Sequence, residues 1–358
     1  MFYSSPHSAV FVPLLSLYSF KKKQVLSYFE LQTKARNQIE ILDALKGTPQ
    51  NGLCPEFSRT TVATLRYNTC MFDLSKTSRL WLFLAIVSLA SSVFADEPYQ
   101  GRLFDAHVHY SHQTWDVIDT ETALRLLDKV GITAALTSST PDEGTLKLMH
   151  KKHTRVHIVP FYRPYKENKD RVSWFKNLDR LRSAEETLET GEHMGFGEIH
   201  IHAPINIANE HVQDLIRRVA DRGLFIQVHA DHGVITRIFE VSPNSKIIWA
   251  HAGFDPTDVV ARMMDKHENL WADLSLREFG TLDDDGIIDV EGINPKWKSL
   301  LIRHADRFMI GSDTYNVGRW LGLPGIINEN RMWLGHLPKY VADQIAHQNG
   351  ERLFGRPK

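Results

Sequence analysis

RLFDAHVHY, the stretch from Arg102 to Tyr110, decides how the rest of the chain is read. It is apolar enough for a buried strand, and its polar side chains Asp105, His107 and His109 occupy alternate positions. A strand repeats every two residues, so all three project from one face. Two imidazoles on one face can converge on a single metal ion. An H-x-H taken alone is a short pattern that arises by chance, so the surrounding sequence has to support it.

After Arg102–Tyr110 the chain alternates β-branched apolar runs with amphipathic helical runs, the signature of a parallel sheet wrapped by helices. Further strands are predicted at Ile132–Ser139, Val156–Tyr162, Gly195–His202, Leu224–Ala230, Lys246–Ala252, Leu270–Leu276 and Phe308–Asp313. Helices are predicted at Glu121–Val130, Glu143–His150, Val172–Glu189, Glu210–Arg222, Val234–Val241, Thr257–His267 and Pro295–His304. A last helical region spans Ile326–Phe354, with a break at Leu337-Pro338. Eight strands, each followed by a helix, fit the roughly 250 residues of an α/β fold of the (β/α)8 TIM barrel type. An open doubly wound sheet is the alternative. It uses fewer strands as a rule, and no Gly-rich phosphate loop follows the first strand here.

The H-x-H gains its support from where other histidines and acids fall. Glu198 lies in GFGEIHIH, His229 in LFIQVHAD, His251 in IIWAHAG and Asp313 in FMIGSDT, each at the C-terminal end of a predicted strand. Strand C-termini of a barrel converge on its active-site face. Any one of these residues could be an ordinary polar strand end; their recurrence at matching strand ends points to a metal site. Imidazole and carboxylate ligands suit Zn2+ first, with Mn2+ or Fe2+ as alternatives, one or two ions per site. Arg163 in FYRPY and Arg277 in LSLRE follow strands and could grip a substrate carboxylate; a loop salt bridge is the competing reading. His200 shares Glu198's side of its strand with His202, and one of them is expected to line the pocket. Asp105, Asp273 and Ser275 are candidates for orienting the ligating histidines, against plain strand-end hydrogen bonding. Tyr110 and Trp115 read as packing before they read as pocket wall, and His150, His153 and His157 as surface or structural residues.

The order H-x-H, His, His, Asp along the strands resembles the amidohydrolase superfamily, and FDAHVH, WAHAGF and IGSDT resemble its amidohydrolase-related (family 2) branch. The resemblance runs from about Gly101 to Phe354. It implies that His107, His109, His229 and Asp313 bind metal, and that His251 is either a ligand of a second ion or a metal-free acid–base residue. Many binuclear members bridge their ions with a carboxylated lysine on strand four. No lysine stands there, and Glu198 occupies the region instead. A strand-four Glu also resembles TatD-like deoxyribonucleases, where it is a ligand. For Glu198 the roles of ligand, partner of a histidine and substrate contact all stay open.

The chemistry expected is attack by a metal-activated water on a small-molecule C–N, C–O or lactone bond. Asp313 would move the proton and His251 would steady charge on the substrate. Metal-dependent non-oxidative decarboxylation of a small carboxylic acid needs nearly the same ligands and is the alternative. A non-catalytic metal- or ligand-binding barrel is a third reading, opposed by the occupation of every carried-over ligand position.

Charge narrows the substrate. The 358 residues carry 42 Lys+Arg against 43 Asp+Glu, a net charge of -1. Residues 1–95 hold ten of the basic and five of the acidic side chains, which leaves the remainder acidic. An acidic domain without a basic stripe argues for a small-molecule substrate and against nucleic acid. Both cysteines, Cys54 and Cys70, precede residue 96, so neither a disulfide nor a thiolate ligand is expected in the barrel. Homo-oligomerisation is left open.

Met71–Ala95 has the layout of a secretory signal peptide: Lys76 and Arg79, then LWLFLAIVSLA over residues 80–90, then Val93-Phe94-Ala95 before Asp96. The apolar run is short of the roughly 20 residues a membrane span needs. A cleaved, exported protein, periplasmic or secreted, is therefore expected rather than a stable membrane anchor. Residues 1–70 show no companion elements for a core and read as a non-native or disordered extension, with Met71 the functional start and 96–358 the barrel domain.

Overall fold

Strands buried on both faces read as continuous apolar runs, and that is how this sheet is built. The computed structural model of the chain describes residues 97–278, 286–289 and 292–355. Its eight parallel strands are β1 (Leu103–Val108), β2 (Ile132–Thr137), β3 (His157–Tyr162), β4 (Gly195–His200), β5 (Phe225–His229), β6 (Lys246–Trp249), β7 (Leu270–Asp273) and β8 (Phe308–Met309). They pair in sequence order, with registers such as Ala135↔Ile158, Gln227↔Ile248 and Phe308↔Ala272. Backbone bonds from Ala106 N–H to the Ile310 carbonyl (2.9 Å) and from Asp313 N–H to the His107 carbonyl (2.7 Å) join the last strand to the first. The result is a nearly closed (β/α)8 barrel, and all eight predicted strands are present.

Helices fill the crossovers. Short polar side chains start them by accepting a hydrogen bond from an otherwise orphaned N–H. Asp119 caps Thr120–Lys129, Asn177 caps Leu178–Glu189, Asn209 caps Glu210–Asp221, Asp231 caps His232–Val241 and Asn294 caps Pro295–Arg303. Asn177 also accounts for one difference from expectation. The predicted helix Val172–Glu189 is two short 3-10 turns, Asn168–Val172 and Trp174–Lys176, followed by the helix that Asn177 starts. The last helical region begins earlier than predicted, at Leu323, and it breaks between Gly335 and Lys339 around Pro338.

One apolar cluster draws Phe104, Leu136, Phe161, Phe225, Ile248, Trp271 and Met309 from seven strands, which can meet only inside the barrel. Phe354 from the C-terminal helix closes it, with ring centroids 4.8 Å from Phe225 and 5.7 Å from Phe161. The larger cluster lies between sheet and helices, with Trp174, Trp249, Trp297, Trp320 and Trp333 fully buried. Among the described residues no helix is long and apolar enough to cross a membrane. The signal-peptide segment and the 1–70 extension lie outside the described residues.

Candidate metal centre

The site begins with the tautomers of two histidines at the end of β1. His107 Nδ1 lies 3.1 Å from Asp273 Oδ2, at the end of β7, and His109 Nδ1 meets the Ser138 carbonyl just after β2. Each Nδ1 faces an acceptor and therefore carries the ring hydrogen, an assignment made from the partners. Both Nε2 atoms are then lone pairs, and they face each other at 3.0 Å. Two carboxylates close on the same point. Glu198 Oε2 is 3.6 Å from His107 Nε2 and 3.2 Å from His109 Nε2; Asp313 Oδ1 is 3.6 and 3.4 Å from them. The four atoms that face one another there are all acceptors in these tautomers, and the donor beside them is Arg163, whose Nη2 reaches Glu198 Oε2 at 2.8 Å. Such a set is stable around a cation, and two imidazoles with two carboxylates form a donor set for a divalent ion.

The electrostatics of the buried groups carry the same demand for positive charge. Burial opposes a charge on His107, yet the Asp273, Asp313 and Glu198 carboxylates outweigh it and hold this imidazole well above its ordinary range. Burial and the Arg163 guanidinium hold His109 below its own. Burial also opposes ionisation of Glu198, but His200, His107 and Arg163 bring its carboxyl well below the usual range.

Glu198 divides its two oxygens. Oε2 faces the β1 histidines and accepts from Arg163 Nη2 at 2.8 Å; Oε1 faces His229 Nδ1 at 2.9 Å and His251 Nε2 at 3.7 Å. Gly197 permits this placement. Its φ is +124°, and a Cβ there would lie 2.1 Å from the Gln227 carbonyl oxygen. His229, at the end of β5, stacks on His200 with centroids 4.4 Å apart. Potential ligand atoms fall into three groups, each within 4.8 Å: His107–Glu198–His251, His107–His109–Asp313 and Glu198–His200–His229. All the sequence-predicted ligands are thus brought together, with His229 beside His200 rather than beside the β1 pair.

His251 and Asp313 are aimed by unusual backbone. His251, Ala252, Gly253 and Phe254 all have positive φ (57°, 46°, 70° and 55°), which turns the chain sharply at the end of β6. His251 Nδ1 is 3.0 Å from the Ser275 carbonyl and 2.9 Å from Ser275 Oγ, leaving Nε2 toward Glu198. Asp313 also sits at positive φ, 46°. Gly311, two residues earlier, packs so closely that a Cβ would lie 3.0 Å from that of His107.

A cavity of about 300 Å³ opens onto His109, Glu198, His200, His229 and Asp313, with Arg163, Tyr165, Phe254 and Tyr315 in its walls. Arg163 is held by the side-chain oxygen and the backbone carbonyl of Glu198 (3.0 Å), so its guanidinium is largely committed. His200 lines the cavity while His202 is exposed. Arg277 is fully buried, donates to the Asp255 carbonyl at 2.9 Å, packs on the Trp297 ring and is not in the cavity wall. Of the proposed orienting residues, Asp273 binds His107 and accepts from Ser275 Oγ at 2.6 Å; Asp105 Oδ1 accepts from the N–H of His107 and of Ser312. Tyr110 and Trp115 pack against each other outside the wall, and His150, His153 and His157 are exposed. The Ser138 carbonyl and Tyr165, whose hydroxyl accepts from His200 N–H at 2.7 Å, were not predicted. An aromatic two residues beyond Arg163 was the only signal for Tyr165.

Against known families, the amidohydrolase profile of family 2 matches residues 166–356, over half of the chain. The chain belongs to the amidohydrolase-related family 2. The matched range takes in Glu198, His229, His251 and Asp313, and His107 and His109 precede it. This amidohydrolase is an enzyme of a superfamily that works with divalent metals. No curated protein sequence matches it. Solved structures similar to it include a probable 2-pyrone-4,6-dicarboxylic acid hydrolase from Acinetobacter baumannii (12% identity, 71% of this chain and 100% of that one, TM-score 0.45). An amidohydrolase from Burkholderia multivorans with bound zinc is 11% identical over 72% of this chain and 100% of that one, TM-score 0.46. A mutant organophosphorus hydrolase from Deinococcus radiodurans is 14% identical over 74% and 96%, TM-score 0.46.

Proposed function

We propose that this amidohydrolase hydrolyses a small-molecule C–N, C–O or lactone bond with a divalent metal, Zn2+ being the first choice, held by His107, His109, Glu198 and Asp313. The observation that carries the reading is the pair of Nε2 lone pairs 3.0 Å apart, faced by two carboxylates. A divalent cation in that donor set supplies Lewis acidity that makes hydroxide available near pH 7. The protein's own groups do the rest. Asp313 reaches the cavity with a carboxylate able to take a proton from water and return it to the leaving group. His251, tied through Nδ1 to Ser275, keeps Nε2 directed at the cluster as a further ligand or as a partner for charge developing on substrate. His200 contacts substrate from the cavity wall, whereas Arg163 acts by holding Glu198. We assign Arg277 no substrate contact, because it is fully buried, donates to the Asp255 carbonyl and lies outside the cavity wall.

The test is metal analysis of the purified protein, followed by a panel of an ester, a lactone, an amide and an aromatic carboxylic acid with and without chelator. Chelator-sensitive release of acid from the first three supports hydrolysis. Release of CO2 from the fourth alone would replace it with decarboxylation. Metal-free protein with full activity would overturn both.

The reading extends to location. Met71–Ala95 is proposed to be removed on export, so that the enzyme acts outside the cytoplasm from Asp96 onward.

A further inference from the structure

The segment that carries Asp313 is fastened to β1 and to His109 just after it by both backbone and side-chain hydrogen bonds. Ser312 N–H donates to Asp105 Oδ1 at 3.0 Å, Asp313 N–H to the His107 carbonyl at 2.7 Å, and Thr314 Oγ1 to the His109 carbonyl at 3.0 Å. One side chain reaches both carbonyls of this segment, Ser312 and Asp313; the Asp313 oxygen also accepts from Tyr315 N–H at 2.9 Å. Arg319 Nε lies 2.7 Å from the Asp313 oxygen and 3.1 Å from the Ser312 oxygen, and its Nη2 also donates to Ser312. Arg319 is placed for this by the short helix Val317–Leu321, whose cap Asn316 accepts from Arg319 N–H at 2.9 Å.

We propose that Arg319 is a positioning residue that sets the Asp313 carboxylate over the ligand cluster. Asp313 has φ +46°, a left-handed conformation uncommon outside glycine, which Asp tolerates better than most side chains but which still needs surroundings that hold it. A planar guanidinium bridging consecutive carbonyls fixes the orientation of both flanking peptides at once, which a single-point ammonium does less well. Arg319 lies outside the cavity wall and its bonds to Asp313 go to the main-chain oxygen, so it acts through the backbone of Asp313. The inference rests on the reading of Asp313 as ligand and proton carrier.

The experiment uses the full chain loaded with Co2+, with Arg319→Met, Arg319→Lys, Asp313→Asn and the double variant Arg319→Met/Asp313→Asn. Thermal melts establish that each variant is folded. In Arg319→Met the Co2+ visible spectrum should move toward that of Asp313→Asn, with Arg319→Lys in between. Hydrolysis of 4-nitrophenyl acetate should lose kcat by about 10- to 100-fold with KM little changed. The same Arg319→Met change should add little on the Asp313→Asn background. A wild-type Co2+ spectrum in folded Arg319→Met overturns the proposal, and so does a loss of kcat that is the same with and without Asp313. Failure of the underlying reading is separate: it appears as an unaltered spectrum and rate in Asp313→Asn alone.

Discussion

Asp273 Oδ2 lies 3.1 Å from His107 Nδ1, and both side chains are fully shielded from solvent. The carboxylate accepts the Nδ1 hydrogen bond and so turns Nε2 toward His109, Glu198 and Asp313. Asp273 is itself held in its ionised form: burial opposes this, and His107, His251 and Ser275 bring its carboxyl down to about 2. Asp273→Asn offers His107 an amide that can orient either way. Metal affinity should drop about 10- to 100-fold in a chelator competition. An unchanged affinity would show that ring orientation is set by packing alone.

Asp313→Asn separates ligation from proton transfer. Asparagine keeps one ligating oxygen and cannot accept a proton at neutral pH. Metal content should largely persist while kcat drops about 10²- to 10⁴-fold. His107→Ala and His109→Ala should lose metal and activity together, because each removes one of the two facing nitrogens. Full metal content in both would remove the centre on which the functional reading stands.

Arg163→Met tests the buried pair with Glu198, whose atoms meet at 2.8 Å with both side chains under a tenth exposed. Removing one partner of such a pair leaves a charge stranded and costs about 3–5 kcal/mol. The loss should be largest in chelator-treated protein and smaller with metal present, since a cation beside Glu198 substitutes for the guanidinium. Equal melting of wild type and variant in chelator contradicts this.

Glu278 gives the pH dependence a definite sign. Burial pushes its carboxyl from 4.5 up to about 7, with Glu329 adding and Arg319 and His251 subtracting. Between those pH values the folded protein binds a proton that the unfolded chain has released, so stability declines as pH rises from 4.5 toward 7 and levels off above. Glu278→Gln removes the penalty. At pH 8 the variant should be more stable by up to about 3 kcal/mol, and near pH 4 the two should match. A variant that melts lower at pH 8 would mean the ionised carboxylate has a partner that stabilises it.

Export is checked by sequencing the N-terminus of protein taken from its natural source. A first residue at Asp96, in a fraction outside the cytoplasm, is expected. Met1 at the start of cytosolic protein would contradict the signal-peptide reading.

How far the sequence could be read depends on where each feature's cause lies. The strands were legible because burial on both faces writes itself as apolar runs, and His107 and His109 because a two-residue spacing is local. Their Nδ1 partners divide differently. Asp273 sits at a strand end and could be proposed, whereas the Ser138 acceptor is a main-chain carbonyl, which no residue type announces. Arg319 was invisible for the same reason: its partners are the carbonyls of Ser312 and Asp313. The positive φ of Ala252 and Phe254 runs against the preference of those residues, and although His251 and Asp313 tolerate it better, nothing local in the sequence announces it at any of the four. Arg277 shows the converse. Its position after β7 suggested a substrate contact, and the ring of Trp297, twenty residues on, holds it instead.

The bonds that join β1 to β8 carry a consequence for how the enzyme acquires its ion. Ser312 Oγ donates to the carbonyl of His107, 205 positions earlier in the chain, and Asp313 N–H donates to the same oxygen. A chain emerging from the ribosome therefore displays both β1 imidazoles long before the aspartate that completes their coordination exists. If the proposed ligand set holds an ion, binding by the two histidines alone would be looser, and tight capture would wait until the two ends of the barrel meet. An ion in the proposed site would then act as a clasp on the finished ring, its rate of escape reporting how often that seam opens.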